Sequence, residues 1–517
     1  MTPRSTTMKQ VTALEAVSTI PSGATLVIGG SGGGHAVPEA LLEALEERYL
    51  TAAEPRDLTS VHPVGIGDKE SRGAHRLRHK GLLRRVVCGT TVDAPGIGEA
   101  AARGELELFT VPQGSLSQLM RDSAARRPGL FTDVGVGTYV DPRLGGGRQG
   151  APATDPPSEA VEIDGKPYIR YRPVAPDIAL LRGSTVDELG NVSMEDEAYF
   201  GEMLSMAQAT RNNGGRVIVQ VARVVPAGTT PPKSVKIPYF LVDDAVVVPD
   251  QPTTYSAPDN RAFAGAERID LTELPPLPTG SRGLIARRAA RELTPGAVCN
   301  LGSGISTGVS IAAAETGVLD SVVLTNEQGL NGGLPMSGLD AGAAVNYDAM
   351  LDQPYQFDFY DGGGLDIAFL SFAEVSPRGD VNISRFGGRI VGVGGFVNIS
   401  QGASTVVFSG TLTAGGLDVR WDRAAGALTI VQEGRAQRFV ETVEQISFSG
   451  PLAQRRGQRI VFVTERCVFE LGTGGLVLTE IAPGVDIERD VAPQVGFALT
   501  VADDLRTMDP ALFDASF

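Results

Sequence analysis

The stretch "PSGATLVIGGSGGG", residues 21–34, decides the fold of the first half of this 517-residue chain. It joins a turn, a short run rich in β-forming residues and a glycine-rich loop. The next stretch, "VPEALLEALEERYL" at residues 37–50, has apolar residues at helical spacing. A strand, a loop and a helix in this order form the unit from which parallel α/β sheets are built.

The second half of the chain repeats this pattern. "TPGAVCNLGSG" at residues 294–304 is again a turn, a short apolar run and a glycine loop, and "STGVSIAAAETG" follows at residues 306–317. In both halves, six positions separate the turn glycine from the first loop glycine. The pattern predicts two units of the same type.

A second pair of stretches supports this repeat. "DIALLRGSTVDELGNVSM" begins at Asp177 and "DIAFLSFAEVSPRGDVNIS" begins at Asp366, with Gly190 and Gly379 each thirteen residues further on. The two pairs also occur in the same order along the chain. We therefore predict an α/β protein with two related domains, each with a mostly parallel sheet flanked by helices.

Proline and turn-forming residues are concentrated between the two halves, in "QPTTYSAPDN" and "LTELPPLPTGSRG". We predict an N-terminal domain at residues 1–250, a linker at residues 251–283 and a C-terminal domain at residues 284–517.

Composition excludes several classes of protein. The formal charge of -16 does not fit a nucleic-acid surface, which needs clustered cations. Cys88, Cys299 and Cys467 form no pair typical of disulfide frameworks or thiolate zinc sites. Because no secretion signal and no run of 18 apolar residues is found, we expect a cytoplasmic protein without a membrane span.

The glycine-rich loop at residues 29–35 has two interpretations. Backbone N–H groups of such a loop, placed between a strand and a helix, suit phosphate or pyrophosphate. A tight turn without a ligand explains the glycines equally well. His75 and His79 have a zinc-ligand spacing, but no third ligand is evident, so we predict no metal site.

Glu327 is the strongest candidate for chemistry. It lies in "LTNEQGLNGGLP", residues 324–335, directly after an apolar run. A glutamate in a turn is usually solvated, but α/β sheets place chemistry at the carboxyl ends of their strands. A carboxylate there can act as a general base or as a nucleophile. The glycines that follow it are interpreted as room for a large substrate.

A second glycine cluster, "GVGGF" at residues 392–396, also follows an apolar run. Backbone free of side chains is a common source of the N–H donors of an oxyanion hole. A β-bulge or a turn is the alternative interpretation.

These motifs together resemble a family I coenzyme A-transferase of the single-chain acetate/propionate/3-oxoacid type. The resemblance covers nearly the whole chain and rests on "GGSGGGH" (29–35), "GLLRRVV" (81–87), "VPQGSLSQLMRD" (111–122), "VGVGTYVDPRLGGG" (134–147), "VKIPYFLVD" (235–243), "NEQGLNGGLP" (326–335), "DQPYQFDFYDGGGLDIAFL" (352–370) and "GVGGFVNIS" (392–400). In this family the two halves correspond to the α and β subunits of two-chain relatives.

The resemblance implies a transferase that moves coenzyme A (CoA) between short-chain carboxylic acids by a ping-pong route. Acyl-glutamyl anhydride and glutamyl-CoA thioester intermediates would form on the side chain of Glu327. The substrates would be acyl-CoA and free carboxylic acids, without a cofactor or a metal, in a homotetramer or homodimer.

The resemblance also assigns roles to further residues. Gly394 and Gly395 would form the oxyanion hole. CoA would contact Gly32, Gly33, Gly34, Gly392 and Gly394. Gln113 would lie beside the acyl group, and Asn326 and Gln328, where many members carry small or apolar residues, are candidates for substrate binding.

Two alternatives remain from the sequence. An acyl-CoA hydrolase would use the same Glu327 and differ only by admitting water. A catalytically silent ligand-binding relative would have lost the chemistry, which the joint presence of Glu327 and "GVGGF" argues against.

Overall fold

The computed structural model describes residues 8–271 and 276–517. Residues 272–275, which belong to the predicted linker at 251–283, lie outside the described residues, and so do residues 1–7. The predicted bounds of the two domains and of the linker stay predictions.

The first half forms one large sheet in which every neighbouring pair of strands is parallel. Its central strands are buried on both faces, as expected for a parallel sheet covered by helices. Across the sheet, the described strands are Lys9–Gln10, Asp244–Val247, Arg216–Val221, Ile178–Arg182, Thr25–Ile28, Leu58–His62, Leu83–Cys88 and Glu107–Thr110.

The second half forms a mixed sheet with a parallel centre. Antiparallel strands extend it on both sides. Across this sheet, the described strands are Ala349–Met350, Leu330–Asn331, Val323–Thr325, Val298–Leu301, Leu365–Ser371, Ala403–Ser409, Arg459–Val463, Cys467–Gly472, Gly475–Ile481 and Thr500–Thr507.

Helices connect the strands and cover the sheets. They are Ala13–Ser18, Glu39–Ala52, Pro95–Ala102, Gln113–Ala124, Met203–Asn212, Ser281–Ala290, Gly308–Glu315, Gln353–Asp361, Phe396–Gly402, Gly450–Arg456 and Pro510–Asp514. Small sheets and hairpins contain the strands Leu130–Thr132, Ser158–Ile163, Lys166–Tyr171, Thr185–Asp187, Val192–Ser193, Arg223–Val225, Val235–Ile237, Leu334–Pro335, Ala344–Val345, Glu374–Val375, Val381–Asn382, Arg385–Phe386, Arg389–Ile390, Thr413–Ala414, Asp418–Asp422, Ala427–Gln432 and Ala436–Gln437.

The central strands have the same spatial order in both halves. The series 58–62, 25–28, 178–182, 216–221 and 244–247 of the first sheet corresponds to 323–325, 298–301, 365–371, 403–409 and 459–463 of the second. The stretches that begin at Asp177 and Asp366 each form a central strand followed by a short antiparallel hairpin. The predicted α/β fold with two related halves is therefore confirmed.

Backbone hydrogen bonds join the two halves where residues 89–91 meet residues 391–394. Thr91 N–H donates to the carbonyl of Val391 at 2.8 Å, and the N–H groups of Val393 and Gly394 donate to the carbonyl of Gly89 at 2.9 and 2.8 Å. These hydrogen-bond distances between the two loops are as short as those between neighbouring strands of a sheet.

Two further features bear on the sequence predictions. The side chains of Cys88, Cys299 and Cys467 are buried and free. Over residues 8–271 and 276–517, no helix has both the length and the apolar character needed to cross a membrane.

Gly33 marks a second close contact between the halves. A Cβ atom at Gly33 would lie 2.1 Å from the backbone oxygen of Leu339. We predict that Gly33→Ala lowers the free energy of unfolding by about 1–3 kcal/mol, the usual cost of overpacking. Gly474→Ala is the matched control, because no atom lies within 4 Å of its Cβ position. Equal melting temperatures for the two variants would contradict the contact.

Candidate active site

Glu327 lies on a tight β-turn at the carboxyl end of the parallel strand Val323–Thr325. The N–H of Gly329 donates to the carbonyl of Asn326 at 3.1 Å, which closes the turn. The chain then returns as the antiparallel strand Leu330–Asn331. The structure thus places the carboxylate where the sequence predicts it, at the edge of the sheet where α/β proteins bind ligands.

The glycines after Glu327 have a different role from the one predicted. Gly329 has a φ of +100°, and a Cβ there would lie 2.2 Å from the carbonyl oxygen of Leu351. A Cβ at Gly333 would lie 2.2 Å from the carbonyl oxygen of Val345. The interpretation as room for a substrate was wrong for these positions, because the protein's own backbone fills the space.

The loop at residues 392–395 lies beside Glu327. A Cβ at Gly395 would be 3.3 Å from Cγ of Glu327. Gly394 does not fit the predicted oxyanion role, because its N–H already donates to Gly89. In the described residues, no acceptor is assigned to the N–H of Gly395, and this group therefore remains the candidate donor.

Gln113 reaches the same place from the other half of the chain. It begins the helix Gln113–Ala124, and its N–H donates to the carbonyl of Gly394 at 2.9 Å. Its side chain is 2% exposed. The structure therefore brings Gln113 to the loop beside Glu327, as its predicted role requires.

Asn326 and Gln328 differ in what they bind. The side-chain oxygen of Asn326 accepts from the N–H of Leu330 at 3.2 Å, and its Nδ2 donates to the carbonyl of Gly342 at 3.0 Å. Both ends of this amide hold the turn, so the predicted substrate contact does not fit Asn326. Gln328 donates to Ser31 Oγ at 3.4 Å, and its buried Oε1 has no partner in the described residues. Gln328 therefore remains a candidate.

The glycine-rich loop is not a phosphate cradle. Its N–H groups at Ser31, Gly32, Gly34 and His35 donate to carbonyl groups of the protein at 2.7–3.0 Å. The helix that follows begins only at Glu39. These donors cannot bind phosphate at the same time, and the alternative interpretation as a tight structural loop fits better.

A cavity of about 440 Å³ lies between the halves and has Glu327 in its wall. Most of the predicted site residues line it, namely Gly32, Gly33, Gln113, Asn326, Glu327, Gln328, Gly392, Gly394 and Gly395. Gly34 does not line it, because this residue packs against the ring and backbone of Tyr255. The predicted residues thus meet in one place, with that exception.

Burial shapes the electrostatics of the cavity. The pKa of Glu327 is raised above its usual value because burial disfavours the charged form, and the side chains of Gln328 and Asn300 partly oppose this shift. Burial also raises the pKa of Asp93 to about 6, against the opposing charge of Lys69. The pKa of each of these two carboxyl groups therefore lies closer to neutral pH than the pKa of an exposed acid.

The sequence analysis missed four residues of this site. Lys69, Asp93 and Arg438 place charges on the cavity wall, and Asn300 lies beside Glu327. Lys69, Asp93 and Arg438 carry no motif, so a single sequence does not distinguish them from solvated charges. Asn300 could have been found, since it is a polar residue inside the apolar run before a glycine loop.

The histidines do not gather with other metal-ligating side chains in the described residues. His79 Nε2 lies 2.7 Å from a carboxylate oxygen of Glu46, and His35 and His62 are buried. Among the side chains that the structure describes, no group of three or more His, Cys, Asp or Glu could hold a metal ion.

Comparisons with known proteins show which family the chain belongs to. A family model described as Coenzyme A transferase matches residues 11–248. Acetate CoA-transferase YdiF of Escherichia coli O157:H7 is 43% identical over 504 residues, covering 97% of this chain and 94% of that protein. Caffeate CoA-transferase of Acetobacterium woodii is 39% identical over 513 residues, covering 98% and 97%.

A solved structure matches equally well. The crystal structure of the acyl-CoA transferase YdiF of E. coli O157:H7, in a thioester complex with CoA, has a TM-score of 0.94 at 41% identity and covers 99% of this chain and 98% of that chain. The chain therefore belongs to the coenzyme A transferase family. Because the relatives match along both halves, the predicted membership of family I is confirmed, and the protein is a CoA-transferase enzyme.

The different bonding of Asn326 and Gln328 can be tested. Asn326→Ala removes two hydrogen bonds inside a buried turn, and we expect it to lower the free energy of unfolding by about 1–3 kcal/mol. Gln328→Ala removes one long contact with Ser31 Oγ and a contact with the Glu327 carboxyl group, neither of which closes the turn, and it should cost less. Chemical unfolding of the two variants and the native protein measures the difference. A larger loss for Gln328→Ala would contradict the assignment.

Proposed function

We propose that this protein transfers CoA between short-chain carboxylic acids by a ping-pong reaction through Glu327. The observation that carries this proposal is the position of that carboxylate. It is partly buried on a rigid turn, in the wall of a cavity lined by both halves. The known relatives named above act on acetate and caffeate by their names, which supports a carboxylic acid as the acceptor.

The first step is an attack by the Glu327 carboxylate on the thioester carbonyl of the donor acyl-CoA. A bond forms between a carboxylate oxygen and the acyl carbon, and the carbon–sulfur bond breaks. CoA leaves as a thiolate, and the acyl group remains as an acyl-glutamyl anhydride. The loop at residues 392–395 lies next to Cγ of Glu327, where the tetrahedral oxyanion would form.

In the second step the thiolate attacks the glutamyl carbonyl carbon. The donor acid leaves as a free carboxylate, and a glutamyl-CoA thioester remains. An incoming carboxylate then runs both steps in reverse and leaves as the new acyl-CoA. One thioester replaces another, so the proposed scheme needs neither ATP nor a cofactor, and CoA itself is a substrate.

Residues around the carboxylate have separate tasks in this proposal. The N–H of Gly395 would stabilise the oxyanion, and a donor of this kind contributes roughly 3 kcal/mol where it has been measured. Gln113 would hold the acyl group from the opposite wall. The cavity between the halves would keep water from the anhydride and the thioester, both of which water hydrolyses.

From the family resemblance we further propose short-chain acids as substrates and a homodimer or homotetramer. The sequence features given above lead us to propose a cytoplasmic location. An acyl-CoA hydrolase is the competing activity, and it would release CoA without an acceptor acid.

Glu327 itself gives the main test. Incubation with acyl-CoA should yield a CoA adduct on Glu327, detected by intact mass and peptide mapping. We expect Glu327→Ala to abolish the adduct and to lower turnover by at least about four orders of magnitude. Glu327→Asp should also lose most activity, because the shorter side chain displaces the nucleophile.

Glu327→Gln serves as the folding control. It removes a carboxyl group whose buried charge is unfavourable, so we expect a melting temperature at neutral pH at least as high as that of the native protein. A Glu327→Ala variant that still transfers CoA would exclude the mechanism. CoA release that does not depend on an added acid would favour the hydrolase.

The pH dependence of the first step provides a further prediction. Only the ionised carboxylate attacks, and the pKa of Glu327 is raised above 4.5. The rate at which the CoA adduct on Glu327 forms in a single turnover should therefore fall as the pH decreases, with a midpoint above 4.5. Rapid-quench samples, analysed for the adduct by intact mass across the acidic range, check this. A rate that stays constant down to pH 4.5 would contradict the prediction.

A further inference from the structure

Gln113 is the outermost member of a buried hydrogen-bond network. The other members of this network have no role in the proposed mechanism. The network continues through Gln353, Tyr199, Ser117 and Glu202, and each of these side chains is at most 2% exposed. Gln353 begins the helix Gln353–Asp361, and Glu202 directly precedes the helix Met203–Asn212. Three helices from both halves thus meet around one carboxyl group.

Gln353 links Glu202 to Gln113. Its Nε2 donates to Oε1 of Glu202 at 2.5 Å, and its Oε1 accepts from Nε2 of Gln113 at 3.1 Å. Because an amide has its donor on one side and its acceptor on the other, the contact with Glu202 fixes which side faces Gln113. Gln113 must then present its own Nε2 to Gln353.

Tyr199 decides how the hydrogens are shared. Its hydroxyl lies 3.2 Å from Oε2 of Glu202 and 3.0 Å from Oε1 of Gln353. A hydroxyl has one hydrogen and can donate to only one of these atoms. If Glu202 is a neutral acid, its own hydrogen goes to Tyr199 and the Tyr199 hydrogen goes to Gln353. Oε1 of Glu202 then accepts from Ser117 and Gln353.

The charges around Glu202 agree with a neutral acid. In the described part of the chain, no Lys or Arg forms a salt bridge with it, and burial raises its pKa to about 7. The neighbouring Asp352 raises the pKa further and is itself paired with Lys236 at 3.0 Å. Tyr199 within the network and Glu327 near it are also titratable, and neither supplies a positive charge.

We propose that Glu202 is a positioning residue for CoA transfer. As a neutral acid it fixes the amide of Gln353, and Gln353 fixes the amide of Gln113 at the wall of the cavity. This inference rests on the proposed role of Gln113 beside the acyl group. Glu202 itself touches neither substrate nor the reacting atoms.

Ionisation of Glu202 would disturb this arrangement. The carboxylate has no hydrogen to give, so it takes the hydrogen of Tyr199, and Oε1 of Gln353 loses one of its two donors. The amide of Gln353 is then held by fewer hydrogen bonds, and the position of Gln113, which donates to this amide, is less well fixed. The rate of transfer should fall as the pH rises through about 7, where Glu202 loses its proton.

The test compares CoA transfer by the native protein and by three variants between pH 6 and pH 9. Glu202→Gln keeps an acceptor and a donor but cannot ionise. Glu202→Leu removes the acceptor at similar volume. Asp361→Asn is the matched control, since Asp361 is a buried acid whose pKa is raised to about 7, but its contacts are with Asn398 and Gln118.

We expect Glu202→Gln to retain turnover within about threefold and to lose the alkaline decline. Asp361→Asn should keep that decline. Glu202→Leu should lower kcat at least tenfold at pH 6.5, with a smaller change in KM for acyl-CoA. An alkaline decline in Glu202→Gln equal to that of the native protein would overturn the inference, and so would a Glu202→Leu variant with native kcat.

A second measurement does not depend on activity. A buried acid with a raised pKa favours the folded state while protonated, and this stability is lost as the pH rises from the ordinary carboxyl pKa towards about 7. The melting temperature of the native protein should therefore fall relative to that of Glu202→Gln over this range. A constant difference would count against a neutral Glu202, even if Glu202→Leu did not fold.

The two proposals can fail separately. A transfer-active Glu327→Ala variant would exclude the proposed function, whatever the result at Glu202. With Glu327→Ala inactive, identical pH profiles of Glu202→Gln and the native protein would exclude only the positioning role.

Discussion

The backbone contact between residues 89–91 and 391–394 is the constraint on which the site depends. It gives the loop beside Glu327 a fixed position, because Gly89 accepts from both Val393 and Gly394. Gln113 adds a further bond to the same loop from the first half. The acid from one half and the amide from the other therefore line one cavity, and backbone hydrogen bonds join the two halves beside it.

Much of the fold could be predicted from the sequence, because the repeated turns, apolar runs and glycine spacings reflect local geometry. The location of Glu327 followed from the same rule, since strands of α/β sheets bind ligands at their carboxyl ends. The partners of individual backbone groups could not be predicted. Whether the N–H of Gly394 is free depends on Gly89, about three hundred residues away in the chain, and no local pattern contains this information.

Several carboxyl groups near the junction of the halves have a raised pKa. Burial raises the pKa of Glu327, Asp93, Glu202 and Asp361 above their ordinary values. A protein pays for each of them in stability at neutral pH. Glu327 lies in the wall of the cavity, whereas Asp361 binds the amides of Asn398 and Gln118 and so holds helices together.

The two halves have the same order of central strands, but they contribute different groups to the site. Strand Leu58–His62 occupies the place of Val323–Thr325, but it ends at a buried histidine followed by Pro63, and no carboxylate follows it there. One repeat therefore supplies Glu327 to the cavity, and the other supplies Gln113 and the loop at residues 32–33. Each repeat lacks the site residues that the other provides. A mutation that damages the site residues of one repeat therefore cannot be compensated by the other repeat.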